Sequence, residues 1–129
     1  MGRRFAIASI IAAIVHFIGE TWWHMEFGQF LPMLIVDYIA VSLLLFGSIV
    51  LLRTGRSPGL LCGGWGFSLC LVYRALFSRV ELILAGGGSQ QMEITAWVLA
   101  GMLVFAAAMF LYSMALCYEG PGSSGRNAT

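Results

Sequence analysis

The stretch LPMLIVDYIAVSLLLFGSIVLLRTGRSPG, residues 31–59, decides the fold class. Its first part, Leu31 to Leu52, holds a single charged side chain, Asp37, in a predominantly apolar run. At helical rise, about 20 such residues cross a hydrocarbon core of about 30 Å, so the run is long enough to span a bilayer. Pro32 falls in the first turn, where its missing N–H costs no hydrogen bond. RTGRSP then closes the run with arginine, glycine and proline, chemistry that stops one helix before another begins.

Working outward, three more runs of the same kind appear. Phe5 to Trp23 (FAIASIIAAIVHFIGETWW) precedes the stretch, Gly59 to about Ala85 follows it, and after GGGSQQ a last run extends from about Ile94 to Tyr118. The composition agrees. The 129 residues are 60% hydrophobic and 10% charged, against about 25% charged in an ordinary soluble domain, and mean hydropathy is +0.89. The expectation is an all-α integral membrane four-helix bundle, one domain over residues 1–118 with spans at about 5–23, 31–52, 59–85 and 94–118. Residues 119–129, EGPGSSGRNAT, read as a disordered tail. The first run reads as an uncleaved helix, because its apolar core continues into a Trp pair with no small-residue cleavage site.

Loop charge gives an orientation. Arg3 and Arg4 precede the first span, Arg53 and Arg56 lie between the second and third, and Arg126 follows the fourth, whereas residues 24–30 and 86–93 contain neither Lys nor Arg. An even number of spans puts these positive segments on one side, which predicts both termini in the cytoplasm of a plasma (inner) membrane. Trp22, Trp23 and Trp97 then fall at the outer interface and Tyr118 at the inner one. Gly59/Gly63, Gly64/Ser68, Ala8/Ala12 and Ala96/Ala100 are spaced as helix-packing seams.

Ionisable groups inside spans carry the functional signal, since lipid tolerates them only in a protein interior or cavity. Counting at helical rise from the inner boundary places Glu20 about 23 Å deep and Asp37 and Arg74 about 21 Å deep, one layer in the outer half of the membrane. His16, Glu20 and His24 share a helix face through spacings of four. The candidate polar cluster is therefore His16, Glu20, Asp37, Tyr73 and Arg74, with His24, Arg79 and Glu81 as a secondary group toward the outer surface. Such a mixed-sign layer either fixes helix register as a hydrogen-bonded network or lines a site. Desolvation favours the neutral form of a carboxylate, the property a proton carrier uses.

Other chemistries find less in the sequence. His16 and His24 stand about 12 Å apart along one helix, too far to hold one ion together, so no metal site and no cofactor are expected. A metal would need one of them with Glu20 and ligands from other helices, among which Asp37 is available. Cys62, Cys70 and Cys117 form no CxxC and read as small buried apolar residues. No phosphate loop, dinucleotide fingerprint, nucleophile elbow or zincin motif occurs, and seven scattered arginines make no nucleic-acid face.

In size, span number and a carboxylate on the first helix, Glu20, the chain resembles the small multidrug resistance transporters. That resemblance implies a dimer exchanging protons for a cationic solute at a membrane-embedded Glu. Glu20 late in its span, followed by TWWH, and Arg74 inside the third span depart from that family's pattern, so its residue roles are not carried over. The functional expectation is proton-coupled or small-solute transport through the polar cluster, as a homo-oligomer or with a membrane-protein partner. The alternatives are an accessory subunit of a larger membrane complex and a membrane enzyme gathering His16, Glu20, Tyr73 and Arg74 around a lipid or quinone headgroup.

Overall fold

The structure is a computed structural model that describes residues 2–28, 31–55 and 58–118. Among these, four helices follow one another: α1 (Gly2–Phe27), α2 (Leu31–Thr54), α3 (Gly59–Leu82) and α4 (Gln90–Tyr118), with a wide π-type turn at Ile83–Gly87. Each of the four is long and apolar enough to cross a membrane. A helix satisfies its own backbone polar groups, so an apolar run of this length has no other inexpensive way through lipid. The tail 119–129, Arg56 and Arg126 lie outside the described residues.

The helix ends follow local chemistry. α1 and α2 both stop on glycines in the left-handed region, Gly28 at φ 67° and Gly55 at φ 62°, whose N–H groups donate back to His24 O and Leu51 O. α4 begins at Gln90, four residues before the hydropathy limit. Ser89 explains the difference: its carbonyl and hydroxyl accept from Met92 N–H, and the carbonyl also accepts from Glu93 N–H, while Glu93 complements the positive end of the helix. α1 likewise runs past Trp23, because nothing between Trp23 and Gly28 interrupts a helix.

Consecutive helices pack side by side in antiparallel order, α1 on α2, α2 on α3 and α3 on α4. In α2 the buried residues Leu34, Asp37, Val41, Leu44, Ser48 and Leu51 recur at alternating three- and four-residue spacings, the seam of closely packed helices. α1 answers with Phe5, Ala6, Ser9 and Ala13, and α3 with Leu61, Gly64, Trp65, Ser68 and Val72. Two glycines set the α2–α3 distance. A Cβ on Gly47 would sit 2.9 Å from Leu61 N, and one on Gly64 would sit 3.2 Å from Leu44 N, so backbone lies on backbone. Trp65 ties three helices together: its Nε1 donates to Ser9 Oγ of α1 at 3.0 Å, and its ring meets Phe105 of α4 edge-on.

Of the small-residue pairs, Gly64/Ser68 is buried at this contact, whereas Gly59 and Gly63 face open space. The cysteines differ from expectation. Cys62 is half-buried and Cys70 and Cys117 are exposed, because they stand off the α3 seam and on a helix, α4, that buries only Ala106 and Ser113. Cys62 and Cys117 meet through their side chains.

Candidate functional site

The α1 seam does not end at Ala13. One further step brings His16, and the next brings Glu20, so the positions that are apolar near the N-terminus become polar toward the other end of the helix. On α2 the same happens in reverse: the second seam position, between Leu34 and Val41, is Asp37. Antiparallel packing lays these two polar stretches against each other.

The result is a compact group. His16 Nε2 lies 3.9 Å from Glu20 Oε1 and 3.8 Å from Asp37 Oδ1, and one donor atom from each residue lies within 4.8 Å of the other two. His16 and Asp37 are largely enclosed, with side chains 11% and 10% exposed, and Glu20 is about a third exposed at 32%. Both histidine distances exceed an ordinary hydrogen bond. The imidazole thus stands between the two carboxylates without a direct hydrogen bond to either.

Aromatic and hydroxyl groups frame this triad on the side of α2. Thr21, next to Glu20, shares a 2.9 Å hydrogen bond with the Tyr38 hydroxyl, next to Asp37, and the Tyr38 ring packs at a tilt against Phe17, centroids 5.2 Å apart. Thr21 Oγ1 also bonds Phe17 O at 2.7 Å. These three residues fix the rotation of α1 against α2 at the level of the triad. Sequence reasoning missed them, although each adjoins a candidate site residue in the chain.

The remaining candidates lie elsewhere. Arg74 is exposed and donates to Met33 Sδ at 3.4 Å, and among the described residues it makes no salt bridge with either carboxylate. Tyr73 is 53% exposed and packs on Phe77 at 4.4 Å. Arg79 lies over the Trp23 ring at 5.5 Å and donates to Ala75 O, beside a cavity lined by Trp23, Ser78, Gln91 and Thr95. Glu81 is exposed. His24, one turn beyond Glu20, has a buried Nδ1 with no hydrogen-bond partner among the described residues. The structure therefore brings His16, Glu20 and Asp37 together and leaves Tyr73, Arg74, Arg79 and Glu81 outside the group.

Comparison of the chain with protein-family models, with curated proteins and with solved structures gives no match.

Proposed function

We propose that this chain is a small integral membrane transporter that moves a small solute in exchange for protons, with His16, Glu20 and Asp37 as the exchanging groups. The observation that carries the reading is the position of one imidazole within 4 Å of two carboxylates on a pair of packed, membrane-length helices. Three groups able to take a proton at one place allow the charge of the site to change stepwise. A bound cationic solute and a proton then compete for the same carboxylates, and that competition couples their movements.

In this reading both termini face the cytoplasm and the triad lies in the outer half of the plasma membrane. Two or more copies form the passage, because four helices whose seams are filled by side chains leave little interior for one. The test is flux in liposomes holding the purified chain under an imposed pH gradient. Glu20→Gln and Asp37→Asn should each abolish pH-driven flux while leaving helical content and elution volume unchanged. Unchanged flux in both variants removes this function.

A second reading, an accessory subunit of a larger membrane complex, draws on α4. Trp97, Val98, Val104, Phe105 and Leu111 are all exposed along it, and a protein partner would cover them as well as lipid does. Constant co-purification of a foreign membrane subunit after gentle solubilisation would favour this reading. The enzyme alternative draws less support, since Tyr73 and Arg74 stand apart from the triad.

A further inference from the structure

We infer that His16, Glu20 and Asp37 form a binding site for a divalent first-row transition-metal cation, which deepens the transport reading by naming the class of solute. The donor set is the first argument. One imidazole nitrogen with two carboxylate oxygens suits zinc, manganese, iron or cobalt, and it lacks the thiolates or thioethers that select soft monovalent copper.

Geometry is the second. Ligands about 2.0–2.2 Å from a shared ion stand roughly 3.3 Å apart in a tetrahedron and up to about 4.2 Å apart when opposed. The two histidine distances, 3.8 and 3.9 Å, fall inside that range, and all three ligand atoms lie within 4.8 Å of one another. These distances are too long for direct hydrogen bonds but match two ligands of one ion.

Placement is the third: the ligands come from two helices. Glu20 and His16 sit one turn apart on α1 and Asp37 on α2, so the ion would bridge the helix pair. The imidazole uses Nε2 toward both carboxylates.

The test uses the full chain purified in detergent, stripped with a chelator and titrated with Co²⁺, whose visible absorption reports ligand type. Stoichiometry is measured in parallel by elemental analysis. One Co²⁺ per chain is expected, with at least about tenfold weaker binding in each of His16→Gln, Glu20→Gln and Asp37→Asn. Glu93→Gln, an exposed carboxylate at the start of α4, should bind within about twofold of the unchanged chain. Circular dichroism and gel filtration identify any variant that fails to fold, and the remaining ligand variants then decide. No Co²⁺ uptake, or equal uptake in the folded ligand variants, overturns the site.

The outcomes separate this site from the transport reading. Triad-dependent Co²⁺ binding without Co²⁺ flux in liposomes supports the site and removes the metal as the transported solute. Proton-driven flux that needs Glu20 and Asp37 in a chain that binds no Co²⁺ overturns the site and leaves transport standing with another solute.

Discussion

α2 makes two different contacts along one seam. Near its first turns it meets α1 through Asp37, with His16 and Glu20 opposite and the Thr21–Tyr38 hydrogen bond alongside. Further along it meets α3 through Gly47 and Gly64, where backbone approaches backbone and no side chain fits between. The first contact is polar, with nearly 4 Å between the imidazole nitrogen and each carboxylate oxygen. The second is dry and tight. In lipid, helix association gains little from hydrophobicity and depends on close packing, so the glycine contact is where stability is expected to come from. The triad lies on the other contact, away from those glycines, so substitutions in it are expected to leave the glycine contact in place.

That division can be broken by experiment. The largest effect should be functional: Glu20→Gln or Asp37→Asn should reduce pH-driven flux to background, with thermal stability in detergent shifted by less than about 1 kcal/mol. If both variants unfold instead, the triad is a structural element and the contrast fails. Next, Gly47→Ala should destabilise by about 1–3 kcal/mol, because its Cβ would meet the backbone of Leu60 and Leu61, which cannot turn aside. Denaturation by a titrated ionic detergent would show a lower midpoint, and an unchanged midpoint would mean that α2 and α3 separate freely.

A smaller loss is expected for Trp65→Phe. It keeps most of the ring against Phe105 but leaves the buried Ser9 hydroxyl without its donor, which should cost about 1–2 kcal/mol. Ser9→Ala in the same background should recover part of it, as a double-mutant cycle would read. The smallest effect belongs to α4. Val104→Ala, at a position 71% exposed, should change stability by no more than about 0.5 kcal/mol. A large loss there in native membranes, absent in the isolated chain, would instead show that a partner covers α4.

How much of this was legible in the sequence depends on whether the property is local. The four helices were, because hydropathy and the Gly and Pro punctuation act within a few residues. Gly28 and Gly55 stop their helices through their own backbone freedom. Ser89 moved the start of α4 by capping, a hydrogen-bond choice that hydropathy does not register. The pairing of His16 with Glu20 was legible too, since four residues is one helical turn.

Arg74 marks the limit. Counting residues gives height along a helix and says nothing about rotation between helices. Arg74 shares the depth of Glu20 and Asp37, yet it is exposed and its guanidinium reaches Met33 Sδ of α2, one turn from Asp37, instead of either carboxylate. Gly47 was passed over for the opposite reason: nothing in its neighbours FGS marks it as the closest approach of two helices, a fact that exists only once α3 is in place.

The sequence by itself determined four apolar helices, their turns and the height of each ionisable side chain, since each follows from the chain's own composition and rise. Only the tertiary structure decided which of those side chains meet. The rotation of α1 against α2, set by the seam at residues 5–13 and by the Thr21–Tyr38 hydrogen bond, turns His16, Glu20 and Asp37 toward one another, while the rotation of α3 carries Arg74 to Met33 instead.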